Sequence, residues 1–407
     1  MSRTVFHGGV VFDGSGAAPA EADVVIDDGR FVEVGPDLDG DDGVDCGGKA
    51  LLPGLFDCHV HLAYRYEDFD EFARMQEPFS LPFFRMAKNL RQTLVLGITT
   101  VRDASGADAG LRSAVDEGSL IGPRMQLSVT MLSMTGGHND PWLPSGARGA
   151  FGVEYPGMPS GVCDGVEGVS AKVREVIRAG ADVVKIASSG GFLSPADDPR
   201  EPNYSQEEVD AIVRTAADLG TWVMSHAHGA EGIKRAVRAG VRSIDHGTFL
   251  DDEAAEMMVE HGAWLVPTLT AGDTTEALAA DEKVPVQVRE KLRELGRPEF
   301  DAMRLAADAG VKVAMGTDCP VAPHGTNLNE LRHMSAHGFS PAQALHAATA
   351  SAAELMGLQD DLGTIETGKL ADLVLVRGDP LDFDDLESRI EQVWKDGVRL
   401  VPFSAPG

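Results

Sequence analysis

Histidines and one aspartate stand in this chain where short apolar runs end. His59 and His61 close Asp57-Cys58-His59-Val60-His61. Residues two apart on a strand point to the same side, so both imidazoles can reach one ion from one strand end. By itself the pair reads equally well as two histidines at a surface strand end. Recurrence decides between these readings. His226 ends Val223-Met224-Ser225-His226, His246 ends Ser243-Ile244-Asp245-His246, and Asp318 ends Met315-Gly316-Thr317-Asp318. In a barrel of parallel strands, such ends meet around one mouth. Imidazoles and a carboxylate gathered without a metal would form a mutually repulsive cluster at low pH. Around a divalent ion they form a coordination shell.

Lys185 is the odd residue in Asp182-Val183-Val184-Lys185-Ile186-Ala187, an otherwise apolar run. An unpaired ammonium inside a barrel costs roughly several kcal/mol. One reading pairs it with a carboxylate or turns it to the outer face. The favoured reading lets desolvation and nearby cations depress its pKa, so that the neutral amine takes up CO2. The carbamate's two oxygens could then bridge two metals. Asp318 has a second role in prospect beside ligation, because a carboxylate near a metal-held water can accept its proton and pass it to a leaving group. Zinc, manganese, cobalt or iron would suit this set, with zinc the expectation.

The elements that must position these groups are legible in the same runs. Apolar stretches at Gly54–Leu62, Gly97–Asp103, Arg124–Thr130, Ala181–Ala187, Thr221–His226, Arg242–His246, Ala263–Pro267 and Val311–Asp318 read as parallel strands. Helical periodicity separates most of them, at Leu111–Gly118, Val166–Ala179, Gln206–Leu219, Gly232–Ala239, Glu253–Glu260 and Val288–Ala309. Gly180, Gly220, Gly240, Gly262 and Gly310 stand where helix C-caps belong. Eight such units imply a (β/α)8 TIM barrel over 55–359, with an open doubly wound sheet as the alternative. The ends are strand-rich: Thr4–Phe12, Asp23–Asp27, Asp372–Arg377, Ile390–Trp394 and Val398–Val401. Residues 1–54 and 360–407 are therefore expected to pair into a small β-sandwich. The long Gly-, Pro- and Met-rich stretch from Thr130 to Val166 follows the third strand and would lie over the barrel mouth.

Bulk properties narrow the partners. The 407 residues carry a formal net charge of −29, which repels nucleic acid and anionic membranes. No stretch approaches the ~18 apolar residues of a membrane helix, and Met1 to Gly9 has no apolar run, so a cytoplasmic protein is expected. Cys46, Cys58, Cys163 and Cys319 have no Cys-x-x-Cys spacing and read as idle or buried thiols in a reducing compartment. A small-molecule or dipeptide substrate is the expected partner, with homo-oligomerisation open.

Longer motifs carry a family resemblance. Pro53-Gly54-Leu55-Phe56-Asp57-Cys58-His59-Val60-His61 resembles the opening signature of the amidohydrolase superfamily, and Leu362-Gly363-Thr364-Ile365-Glu366-Thr367-Gly368-Lys369-Leu370-Ala371-Asp372-Leu373 resembles its return to the β-sandwich. Thr135-Gly136-Gly137-His138, Lys185 to Gly191 and Ser225-His226-Ala227-His228-Gly229 are similar to prolidase-like metallodipeptidases, near the imidazolonepropionase-like branch. The resemblance covers nearly the whole chain. It implies that His59, His61 and Asp318 bind one metal and His226 and His246 the other, with a carboxylated Lys185 and a hydroxide between them. It also implies that Asp318 shuttles the proton and that His138 faces the substrate carbonyl. His228 stands where relatives often carry Tyr to hold the substrate carboxylate; it is the departure from the pattern and, with His138, an expected substrate-binding residue.

The implied activity is hydrolysis of an amide in a dipeptide (Xaa-Pro-like) or N-acyl amino acid. The same site could act on an ester, lactone, carbamate, organophosphate or cyclic amide, and a non-catalytic barrel would be expected to have a broken ligand set. Gly363 to Lys369 imitates a phosphate loop, but Leu370 replaces the required Ser or Thr. Neither a Gly-x-Ser-x-Gly elbow nor a His-Glu-x-x-His helix occurs. Arg102, Arg148 and Arg200, placed on loops near the mouth, are candidates for a substrate carboxylate, with solvated or structural roles the stronger expectation.

Overall fold

The computed structural model describes residues 3–64, 76–142, 145–146, 155–195 and 197–402. Five strands open the chain, β1 (Thr4–Val11), β2 (Ala20–Asp27), β3 (Arg30–Gly35), β4 (Asp42–Asp45) and β5 (Lys49–Pro53). Nine more follow as β6 (Leu55–Val60), β7 (Ile98–Asp103), β8 (Arg124–Leu127), β9 (Met131–Leu132), β10 (Val184–Ala187), β11 (Val223–Ala227), β12 (Ser243–His246), β13 (Trp264–Val266) and β14 (Lys312–Val313). Three end it, β15 (Leu373–Arg377), β16 (Ile390–Lys395) and β17 (Val398–Val401).

The strands of both chain ends form one sheet, ordered β17-β16-β15-β5-β1-β2-β3 with β4 beside β1. β5 and β15 pair antiparallel from Pro53↔Leu373 to Lys49↔Arg377 and stitch the two ends together. Phe6, Phe31, Leu51, Leu373 and Leu375 share a core of their own. Strands stand roughly 4.8 Å apart, yet Phe6 on β1 meets Trp394 on β16, three strands away, with ring centroids 5.2 Å apart. The sheet must therefore curl. Where a two-layered sandwich was expected, the described residues show a single bent sheet.

The middle of the chain is a TIM-barrel-like α/β fold, but its ladder is not closed. β6-β7-β8 form one parallel sheet and β14-β13-β12-β11-β10-β9 another. Val129 at φ 65 breaks the third expected strand between β8 and β9. At the other gap β14 is only two residues long, because the chain leaves the ladder towards Asp318 at φ 58. Single hydrogen bonds connect the edges there: Cys58 N to Met315 O at 2.8 Å, His61 N to Cys319 O at 2.7 Å and Asp318 N to His59 O at 2.8 Å.

Helices at Gly165–Arg178, Gln206–Asp218, Ala230–Ala239 and Asp252–His261 fall where the periodicity puts them. Gly240, Gly262 and Gly310 cap helices in the left-handed region that glycine adopts without a Cβ clash. The single helix expected over Val288–Ala309 is two, Val286–Leu295 and Glu299–Ala309, divided by Gly296 at φ 65 and Pro298. A helix at Leu81–Leu94 was not foreseen, although Met86, Leu90 and Leu94 bury at a four-residue spacing. All four cysteines are free and buried. No helix among the described residues is long and apolar enough to cross a membrane.

Candidate metal centre

Alternation along the strands decides what points inward. Val184 and Ile186 belong to the core between strands and helices, so Lys185 between them turns to the barrel interior. Val101 and Ile244 likewise join that core, which turns Arg102, Ser243 and Asp245 inward. Arg102 therefore corrects the expected loop placement while taking the structural role that was the stronger expectation. It lies within β7 rather than on a mouth loop, is fully buried, and cannot reach a substrate. Its guanidinium donates to Cys58 O at 2.7 Å, Ser243 Oγ at 3.1 Å and Asp245 Oδ1 at 3.2 Å. The other Asp245 oxygen pairs with the Lys185 ammonium. It also lies 3.1 Å from His59 Nδ1, off the line of a hydrogen bond. Arg200 pairs on the surface with Asp198 and Glu294. Arg148 lies outside the described residues.

One layer nearer the mouth the expected residues come together. Asp318 Oδ1 lies 3.3 Å from His59 Nε2 and 3.2 Å from His61 Nε2. The His246 ring is 4.9 Å from that of His59 and 4.7 Å from that of His226. Ligand atoms of His59, His246 and Asp318 lie within 4.8 Å of one another, and so do those of His226, His228 and His246. Asp318 and His246, at φ 58 and 74, hold a left-handed backbone that side chains rarely adopt. Such strain concentrates where side chains must be aimed. Lys185 and all these residues line one cavity of about 460 Å³.

Hydrogen bonds at the backs of the rings set what each presents. His226 Nε2 faces Gly190 O at 3.1 Å and His61 Nδ1 faces Ser105 O at 2.9 Å. A carbonyl can only accept, so these nitrogens carry the hydrogen, and a neutral ring then offers its other nitrogen as a lone pair. His246 Nδ1 is engaged by Thr268 Oγ1 at 2.7 Å. Burial and then neighbouring imidazoles push His226 and His246 well below the ordinary histidine range, and burial lowers the Lys185 ammonium. Burial would raise Asp318, yet His59 and His61 beside it hold it far below the usual carboxylate range. Neutral imidazoles at His226 and His246 and an ionised Asp318 are protonation states a cation selects, and this donor set fits a divalent metal.

His138 reaches the cavity from the long segment after the third strand. Its ring stacks on His226 at 4.1 Å, with Nδ1 2.8 Å from Ser194 Oγ and 3.6 Å from Asp197. Only glycine at 191 permits this, since a Cβ there would lie 2.0 Å from the imidazole. Lys291 donates to Gly191 O and Asp197 O, both at 2.7 Å, fixing the loop that holds His138. His228 is buried against His246, with Nδ1 2.7 Å from Thr248 Oγ1. Sequence reasoning missed Asp245, Thr268 and the Ser194–Asp197–Lys291 support. Ser243 and Asp245 at strand spacing in an apolar run were the available signal. Lys291, on a helix distant in sequence, gave none.

The Amidohydrolase family model matches residues 50–404. The ochratoxinase of Aspergillus niger is 32% identical, the alignment covering 99% of this chain and 87% of that protein. A crystal structure of a Xaa-Pro dipeptidase with methionine bound in its active site superposes with a TM-score of 0.86 at 37% identity, covering 98% of this chain and 99% of that one. A prolidase complexed with N-methylphosphonate-L-proline superposes at 0.89, with 37% identity and the same coverages. A family match over most of the chain, together with a barrel mouth that gathers His59, His61, His226, His246 and Asp318, makes the protein a member of the amidohydrolase family.

Proposed function

We propose that the protein hydrolyses the amide bond of an Xaa-Pro-like dipeptide or N-acyl amino acid at a pair of divalent ions, zinc the first expectation. His59, His61 and Asp318 would hold one ion, His226 and His246 the other, and a carboxylated Lys185 both. The observation that carries this reading is the approach of His59 and His61 to one Asp318 oxygen, in the same cavity as His226 and His246. The relatives named for ochratoxin, Xaa-Pro dipeptides and proline support an amide substrate with an amino-acid end.

Bound ions would supply a water of lowered pKa and an electrophilic partner for the scissile carbonyl. The chain's own residues do the rest. Asp318, turned into the cavity by its left-handed backbone, takes a proton from water and returns it to the leaving nitrogen. His138, anchored through Nδ1, presents its other ring nitrogen to the substrate carbonyl oxygen. Phe192, Leu278, Leu292 and Val321 wall the cavity and keep bulk water from the scissile bond. In the unmodified chain Lys185 is paired with Asp245. The ammonium would first give up one proton, and the neutral amine would then add to CO2, forming one N–C bond as one C–O π bond becomes the carbamate's anionic oxygen and a second proton leaves for solvent, while Asp245 keeps Arg102 as its cation.

The test is release of free amino acid from a panel of Xaa-Pro dipeptides and N-acyl amino acids by metal-loaded protein. Cleavage of at least one class, stopped by chelators and restored by metal, is expected. A panel left intact overturns the substrate assignment.

A further inference from the structure

We propose that His228 is a metal ligand, so that one of the two ions is held by three imidazoles, His226, His228 and His246. This rests on the binuclear reading above and changes its ligand set. Three observations carry it. Each of the three residues offers a nitrogen within 4.8 Å of those of the other two, and all three are buried. The three rings are mutual neighbours: centroids are 4.6 Å apart for His226 and His228, and 4.7 Å for the pairs that each makes with His246, His228 lying nearly parallel to His246.

Second, His228 is prepared as its neighbour His246 is. His246 Nδ1 lies 2.7 Å from Thr268 Oγ1, and His228 Nδ1 lies 2.7 Å from Thr248 Oγ1. A hydroxyl behind Nδ1 fixes the ring and directs Nε2 forward, the support that metal-bound histidines ordinarily have. His138, also beside His226, has a hydroxyl behind Nδ1 as well, Ser194 Oγ at 2.8 Å, so its place outside both ligand groups is what sets it apart. That Nδ1 also lies 3.6 Å from Asp197, and the ring stacks on His226 at 4.1 Å.

Third, His226-Ala227-His228 repeats the spacing of His59-Val60-His61, which brings two imidazoles to one carboxylate oxygen on the first barrel strand. Backbone support holds the end of the second pair in place. His228 N donates to Ser189 Oγ at 2.8 Å, and its carbonyl accepts from Phe249 N at 2.9 Å. Phe192 meets the ring edge-on at 4.7 Å and closes its outer side.

The experiment is titration of metal-free full-length protein with Co²⁺, read by visible absorption and by bound metal per chain. Wild type, His228→Asn, Thr248→Val and His138→Asn are compared. Wild type is expected to bind two ions. His228→Asn should weaken one of them by more than about 100-fold and alter its absorption bands, because loss of outer support alone weakens binding 10–100-fold. Thr248→Val, which leaves the ring in place, should weaken the same ion by about tenfold. His138→Asn should leave both ions bound as in wild type. If His228→Asn and Thr248→Val bind both ions with wild-type affinity and spectrum, His228 is not a ligand and the proposal is overturned. Should wild type itself fail to bind two ions, the binuclear reading fails instead.

Discussion

The first and fifth barrel strands end in the same pattern, His59-Val60-His61 and His226-Ala227-His228, yet the two pairs meet different partners. The first pair closes on a carboxylate, Asp318, which its imidazoles keep ionised. The second closes on another imidazole, His246, and burial among its own kind keeps that group neutral. Lys185 apart, one half of the rim therefore meets a cation with charge, and the other with lone pairs. The ionised half also holds the group able to carry a proton. Similar sequence at two strand ends has produced two different sites because the loop opposite each supplies a different third residue.

Lys185 faces both halves, so removing it should erase the difference between them. Lys185→Ala is expected to lose most bound metal and nearly all activity, with partial rescue by short carboxylic acids. Metal analysis and turnover with and without added acid check this. Wild-type metal content would return Lys185 to a structural ion pair. Asp318→Asn removes the charge that distinguishes the first half. Turnover should fall about 10³-fold with little change in KM, because the proton carrier is lost rather than the binding surface. Equal turnover would make Asp318 a bystander.

Gly191→Ala disturbs the neighbour of the second half while sparing both sets of ligands. An added Cβ would overlap the His138 ring, and displacement of a substrate-facing group by an ångström can cost about 10²-fold. kcat/KM should drop by that order with metal content unchanged, and a parallel fall in bound metal would contradict the separation. The smallest effect should appear on partial chelation. The ion held by His226 and His246 should leave first, about tenfold sooner than the ion beside Asp318, since beyond the shared Lys185 only the latter has a carboxylate to add charge to the attraction. Time courses of bound metal, in wild type and in Asp318→Asn, would show whether the order depends on that charge.

Much of this was readable in the chain. Strand ends terminating in His59, His226, His246 and Asp318 mark the rim because parallel strands in a barrel bring all their C-terminal ends to one face. The helices around Gly240, Gly262 and Gly310 announce themselves by apolar period and left-handed caps. What escaped depended on three-dimensional neighbours. Arg102 looked like a loop cation because nothing local shows Asp245 and Ser243 waiting across the barrel. The curled sheet of the two termini hides as well, since strand alternation gives a buried face without saying what covers it. Val129 breaks the third strand although valine favours strands, an override of local preference by tertiary context.

The central claim is that side chains far apart in sequence meet around ions on which the chemistry depends. Elemental analysis of purified, active protein, with turnover followed through chelation and reloading, addresses it most directly. Two equivalents of divalent transition metal per chain, activity lost on removal and regained on return, is the expected result. Full turnover in protein that carries no transition metal and ignores chelators would contradict it.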